Sequence, residues 1–261
     1  MSQTASPSTV VTAAMLAIGD ELLSGRTKDK NISHLVDVLT LAGIDLKEVR
    51  IVSDEEEAIV EALNALRGRY TYVFTSGGIG PTHDDITADS ISRAFGLPCV
   101  HDPDAMQLLA EMYQRREMEF TEARQRMARM PKGARHIANP VSTAPGFIVE
   151  NVYVMAGVPQ VFQAMLDNVL PELRTGSKML SLAIACPFGE GDIGTPLAAI
   201  QKAHPQTSIG SYPKYDGKRF STEIVVRARE QAEVDAAVAD VQQMVQDLEE
   251  KHLAPNGTAD A

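Results

Sequence analysis

A glycine-rich turn joined to adjacent carboxylates, Thr75-Ser76-Gly77-Gly78-Ile79-Gly80-Pro81-Thr82-His83-Asp84-Asp85-Ile86-Thr87, is the stretch of this chain best equipped for chemistry. Gly77, Gly78 and Gly80 remove three Cβ atoms and permit positive φ, so backbone N–H groups can converge on an anion at close range. Ser76 and Thr82 add hydroxyls beside them, and Pro81 stiffens the exit. His83 can titrate near neutrality, while Asp84 and Asp85 offer the hard oxygen ligands that Mg²⁺ prefers. This is the chemistry of a phosphate-and-metal site. The same residues also fit a tight turn whose aspartates cap the next helix.

Such a loop works only if the flanking elements aim it. Tyr70 to Thr75 is rich in β-branched and aromatic residues, as a buried strand should be, and Thr87 to Phe95 reads as a helix with Thr87 as its cap. The loop then lies at the carboxyl end of a strand, where open α/β sheets bind ligands. Val10 to Ile18 is a continuous apolar run suited to a central parallel strand. Asp29 precedes an amphipathic stretch carrying Ile32, Leu35, Val36 and Leu39 and stopped by Gly43. Ile44 to Val52 alternates as a second strand. Ser53, Asp54, Glu56 and Glu57 hold two overlapping capping-box patterns ahead of the Ile59, Val60, Leu63, Leu66 stripe. Three β-α repeats in succession predict a mostly parallel sheet with helices on both faces.

Asp102-Pro103 opens a helical region that breaks near Phe120-Thr121 and ends at Pro131. Short strands follow near Ala134 to Ile137, Phe147 to Glu150 and Val152 to Met155, then the turn Gly157-Val158-Pro159 and a helix to Leu173. Thr175-Gly176-Ser177 reads as a linker, giving an α/β domain over residues 10–174 and a smaller α+β domain over 178–253. In the second, strands at Lys178 to Cys186, Ser208 to Tyr215 and Arg219 to Arg229, with helices at Leu197 to Ala203 and Gln231 to His252, spell β-α-β-β-α. Asp216-Gly217 marks the hairpin between its last two strands. Met1 to Thr9 and Ala254 to Ala261 have the composition of loose tails.

The 261 residues are 44% hydrophobic, enough for a large core, and carry a formal net charge of −11. That charge argues against non-specific nucleic-acid binding, which needs lysine and arginine on phosphates. No apolar run reaches the about 20 residues that span a bilayer, and no signal peptide opens the chain, so a cytoplasmic protein is expected. Cys99 and Cys186 lack metal-like spacing and read as reduced core residues. His101 and His136 read as structural.

With these residues in place, the chain resembles the molybdopterin-binding domain family. It looks most like the branch found at the amino terminus of competence/damage-inducible protein A and of eukaryotic FAD synthetase. Four segments carry the likeness: Ile18-Gly19-Asp20-Glu21-Leu22-Leu23-Ser24-Gly25 with Asp29-Lys30-Asn31; Ser76 to Thr87; Asn139-Pro140 through Ala144-Pro145-Gly146-Phe147; and Gly157-Val158-Pro159. Gly189 to Gly194 and Ser208 to Pro213 resemble the small second domain of the competence-type proteins. The resemblance implies a doubly wound sheet with pterin phosphates or dinucleotides as ligands. Competence-type proteins usually continue into an amidase domain acting on nicotinamide mononucleotide; these residues do not include it, so deamidase activity is not expected.

At the sheet edge that carries the loop, Asp20 and Glu21 follow the first strand and can join it in holding a divalent ion. Asp54, after the second strand, fits an N-cap and a ligand role equally. Asp54 and Asp85 match acids that the resembling family uses at a metal-nucleotide site. Asp85, Asp84 and Asp20 are therefore the expected ligands of Mg²⁺, Mn²⁺ or Co²⁺, and Asp85, Asp54 and His83 the expected catalytic groups. Because Asp84 and Asp85 are adjacent, only one should face the metal, and the resemblance selects Asp85. Ser24, Gly25, Lys28 and Asn31 are expected at a phosphate or ribose, with Ser142, Thr143 and Gly146 on the opposite wall. Gly191-Asp192-Ile193-Gly194 has the outline of a nucleic-acid clamp, but Glu190 and Asp192 repel phosphates, so it reads as a helix start. The expected activity is metal-dependent hydrolysis of a nucleotide pyrophosphate such as ADP-ribose or FAD. The alternatives are molybdopterin binding with adenylyl transfer, or a non-catalytic nucleotide or pterin sensor. A homo-oligomer, dimeric or trimeric, is expected.

Overall fold

A computed structural model describes residues 10–253; the two segments read as tails lie outside the described residues. The chain divides between Gly176 and Ser177 into two units. The first contains a six-stranded sheet in the order β2-β1-β3-β8-β7-β6. β2 (Ile44–Val52), β1 (Val11–Ile18), β3 (Tyr72–Ser76) and β8 (Val152–Met155) run parallel; β7 (Gly146–Val149) and β6 (Arg135–Ile137) close the sheet antiparallel.

The apolar run of β1 is buried on both faces, as a central parallel strand must be. Leu16 and Ile18 join Ile59, Leu63 and Leu66 of α3 (Glu56–Arg67) and Ile91 of α4 (Thr87–Phe95) in one core. Val11, Ala13 and Met15 join Leu35 and Leu39 of α2 (Asn31–Leu41) and Phe162 and Leu166 of α7 (Pro159–Val169) in the other. Helices on both faces make the sheet doubly wound.

Several elements depart from the sequence reading. Asp20 and Glu21 open a one-turn helix, α1 (Asp20–Leu23), which the sequence reading did not include. Thr87 is the first residue of α4, not its cap: its hydroxyl donates instead to the Gly77 carbonyl at 3.0 Å. Neither capping box forms at α3, whose N-cap is Glu55 with no side-chain bond, because Asp54 is engaged with Asp20. The helical region after Pro103 stops early. α5 (Pro103–Arg115), α6 (Glu122–Gln125) and a 3-10 turn (Arg126–Ala128) lead into β5 (Arg129–Pro131), which pairs with β4 (Cys99–His101). β4 and β5, three residues each, carry too little periodicity to stand out beside the helical spacing around them.

The second unit has β9 (Leu180–Cys186), α8 (Glu190–Ala203), β10 (Ser208–Tyr215), β11 (Phe220–Ala228) and α9 (Gln231–Leu253), with an antiparallel sheet in the order β10-β11-β9. α8 begins seven residues before the expected Leu197 and tolerates Pro196 in its second turn. Asp216 Oδ1 accepts the N–H groups of Lys218 and Arg219 at 2.8 Å each, closing the hairpin turn. Both cysteines are free, Cys186 within this unit's core.

Asp102 caps α5 by accepting from Asp104 N and Ala105 N, each at 3.1 Å, and also meets His136 Nε2 at 2.9 Å. Loss of a side-chain cap costs about 1 kcal/mol. Asp102→Ala should lower unfolding stability by at least that amount in urea titration, with the slope unchanged.

Candidate functional site

The carboxyl ends of β1, β3 and β8 converge on one cleft of about 510 Å³. Its floor is Gly77, Gly78, Ile79 and Gly80, and one wall is Gly157, Val158 and Pro159 at the amino end of α7. Asn139, Ser142 and Ala144 from the loop between β6 and β7 form another wall, with Glu21 and Thr27 opposite.

Steric necessity explains the glycines. Gly77 has φ +109°, and a Cβ there would stand 2.2 Å from the Ile18 carbonyl oxygen. Gly78 has φ +67°, and its Cβ would stand 2.2 Å from Thr87 Oγ1. Gly77 N donates to Met155 O at 3.1 Å, and Thr87 N donates to Gly78 O at 3.0 Å. Gly80 N donates to Asp85 Oδ1 at 2.7 Å. Among the described residues, Gly78 N–H and Ile79 N–H find no acceptor, so two donors on residues that line the cleft remain for a ligand. The positive end of the α7 dipole adds to their pull on an anion.

Asn31, 3% exposed, ties the cleft together. Its Nδ2 donates to Ser76 Oγ at 2.7 Å and to Gly157 O at 2.8 Å, joining three chain segments. It was expected at a phosphate or ribose; its Nδ2 positions the loops, and its buried Oδ1 has no hydrogen-bond partner among the described residues. Ser76, also expected at the ligand, is buried and occupied by Asn31. Asn139 organises the opposite wall: its Oδ1 accepts from Val141 N and Ser142 N, and its Nδ2 donates to Ser142 Oγ and Ala144 O.

The bracing role expected of Asp84 falls to Asp85. Asp85 braces the loop, accepting Gly80 N at 2.7 Å, Thr82 N at 2.8 Å and Thr82 Oγ1 at 2.5 Å. Thr82 is thus a brace as well. Asp84 is exposed, and His83, 99% exposed, stands 3.9 Å from it. The loop curls so that Asp85 turns inward to the Gly80 and Thr82 amides of its own turn.

Asp54 Oδ2 accepts Asp20 N at 2.9 Å, and Asp54 N donates to Asp20 Oδ1 at 3.4 Å. Burial pushes the Asp54 carboxyl above its usual range, and the charges of Asp20, Glu21 and Asp84 add to that, while the Asp20 N–H opposes it. These four acids therefore share one electrostatic neighbourhood. Among the described residues, no three His, Cys, Asp or Glu side chains are already disposed around a metal position. Ser24, Gly25 and Lys28 do not line the cleft; Thr27, unnoticed in the sequence, does. Met127 was also missed, because nothing local distinguishes it from the core methionines around it.

Residues 14–175 match the sequence family described as "Probable molybdopterin binding domain". The chain belongs to the molybdopterin-binding domain family. Residues 178–252 match the middle domain of FAD synthase. The chain is 39% identical over 166 residues to a protein of Caldivirga maquilingensis, covering 62% of this chain and 65% of that one. It is 43% identical over 165 residues to a CinA-like protein of Citrifermentans bemidjiense, covering 61% and 40%. The chain thus spans less than two thirds of either relative's length. The crystal structure of the protein CinA with unknown function from Thermoplasma acidophilum superposes with a TM-score of 0.58 at 29% identity, covering 62% of this chain and 98% of that one. Within this family the chain is CinA-like, and the strand ends that build its cleft lie in the matched region. No helix among the described residues is long and apolar enough to cross a membrane.

Two outcomes follow for this family site. Gly78→Val should abolish diphosphate binding, because the added atoms collide with Thr87; calorimetric titration with pyrophosphate measures it, alongside circular dichroism to check the fold. Asp54 gives a pH effect of defined sign. Its raised pKa means that its contribution to stability is full below the ordinary carboxylate pKa and is lost as pH rises through the raised value. Asp54→Asn should therefore raise the melting temperature at neutral pH, and the gain should disappear in acid.

Proposed function

We propose that this protein is a metal-dependent hydrolase of a nucleotide pyrophosphate, such as ADP-ribose or FAD. The observation that carries the reading is the pairing, at one sheet edge, of two free loop amides with a group of four carboxylates. Amides suit the phosphate oxygens; the carboxylates suit the cation that accompanies them.

The donor set fits a hard divalent ion, Mg²⁺, Mn²⁺ or Co²⁺, since every donor is a carboxylate oxygen, and the charges of Asp20, Glu21 and Asp84 add to the burial that raises the Asp54 pKa. One or two of Asp20, Asp54 and Asp84 would hold it together with oxygens of the substrate, because such ions are commonly bound through one or two carboxylates plus phosphates. When bound, the cation neutralises charge on the phosphoryl oxygens and lowers the barrier to attack.

The chain's own groups do the rest. Gly78 N–H and Ile79 N–H hold one phosphate, and α7's amino end favours the other. Glu21, on the cleft wall, takes a proton from water as its oxygen bonds to phosphorus. The bond from that phosphorus to the bridging oxygen breaks, and the second phosphate leaves with the electron pair. Asp85 keeps the loop in shape throughout. The family's pterin ligands leave adenylyl transfer to a pterin phosphate as an outcome to be tested.

Metal-stripped protein should be incubated with ADP-ribose, FAD or ATP plus pterin, each with Mg²⁺, Mn²⁺ or Co²⁺, and the products weighed. Two nucleoside or sugar monophosphates from the first two substrates support hydrolysis; an adenylylated pterin from the third overturns it. Asp84→Asn should weaken metal-dependent turnover by about tenfold or more with little change in stability, as loss of a metal-holding group does. Asp85→Asn should cost stability as well, because it leaves Gly80 N–H and Thr82 N–H without their charged acceptor. Turnover against metal concentration, beside melting curves, separates the two.

A further inference from the structure

A second cavity of about 510 Å³ lies in the first unit, lined in part by Cys99, His101, Glu122, Gln125, Arg126 and Arg129. It shares no lining residue with the cleft but is next to it in the chain, since Met127 lines the cleft. Its two guanidinium groups are differently placed. Arg129 is paired with Asp89. Arg126 has no ion-pair partner among the described residues, and its Nη2 donates to the Asp85 main-chain oxygen at 3.2 Å. Its Nε is buried with no acceptor at all.

A charged N–H buried without an acceptor is costly, and a guanidinium with spare donors matches the paired oxygens of a phosphate. His101 and Gln125 supply further polar contacts along the same lining, whereas the carboxylate of Glu122 faces a bound anion unfavourably. We infer that this cavity is a second anion site, taking a phosphate group on Arg126, distinct from the cleft. A phosphate there pins the guanidinium that holds the Asp85 carbonyl, and Asp85 in turn holds Gly80 and Thr82. Occupancy of the cavity is thereby felt by the glycine loop. The phosphate can belong to inorganic phosphate or to a nucleoside monophosphate, which share this chemistry.

The test is titration of the whole chain with inorganic phosphate and, separately, AMP, followed by amide NMR. Saturable shifts are expected at Gln125 and Arg126, with smaller ones at Gly80 and Asp85. Arg126→Gln should weaken phosphate binding by about tenfold, as loss of a charged donor does. Glu122→Gln, at an exposed helix start, should strengthen it. Equal response to both anions assigns the site to the phosphate alone; a markedly tighter response to AMP assigns it to the monophosphate. The inference is overturned if no saturable shift occurs. It is also overturned if shifts are confined to Gly78 and Ile79 and lost in Gly78→Val, or if Arg126→Gln and Glu122→Gln both bind as the parent does. None of these results depends on whether the cleft hydrolyses a pyrophosphate.

Discussion

The structure depends on how closely three strand ends approach one another at Gly77. The Ile18 carbonyl occupies the space that any Cβ there would need, at 2.2 Å, and a Cβ on Gly157 would come within 3.3 Å of the Gly77 Cα. Such contact lets Asn31 reach both Ser76 and Gly157 with one amide group. A single side chain thereby fixes the relative height of the loops after β1, β3 and β8. Because those segments are locked by the sheet behind them, the Gly78 and Ile79 amides are set in place before any ligand arrives, and binding need not order them.

Electrostatics opposes packing at the same place. Asp20, Glu21, Asp54 and Asp84 crowd one edge of a chain that is already strongly acidic, and the other three charges add to the burial that raises the Asp54 pKa. Stability alone would favour neutral side chains there. Retaining ionised ones suits a site in which a cation and a polyphosphate arrive together, since each removes the penalty imposed by the other. On the proposed function the acids need not form a closed cage, as substrate oxygens would complete the coordination.

Much of this was legible before the fold was known. The apolar run of Val11–Ile18 and the helical stripes of α2, apart from exposed Val36, and of α3 follow from burial on a known face, and the glycine loop sits where those elements place it; in β2 the alternation marks the strand but not its buried face, since Val49 and Ile51 are exposed. What could not be read were roles decided by long-range contact. Asp54 looks like a cap until Asp20, 34 residues away, claims its carboxylate. Nothing local in the sequence tells that the Asn31 amide donates to Gly157, 126 residues away. The inward turn of Asp85 rests on the curl of a loop whose shape is set by Gly80 and Thr82, and no periodicity encodes that. Met127 and Arg126 sit in a 3-10 turn too short to leave a pattern.

The central claim is that the free amides and the carboxylate edge serve one ligand, a metal-bound diphosphate. A crystal structure of the protein with Mn²⁺ and a non-hydrolysable ADP-ribose analogue tests it most directly. The account predicts diphosphate oxygens on the Gly78 and Ile79 N–H groups, with anomalous density for manganese between those oxygens and the carboxylates of Asp20, Asp54 and Asp84. A diphosphate seated elsewhere, or manganese bound away from these acids, would contradict it.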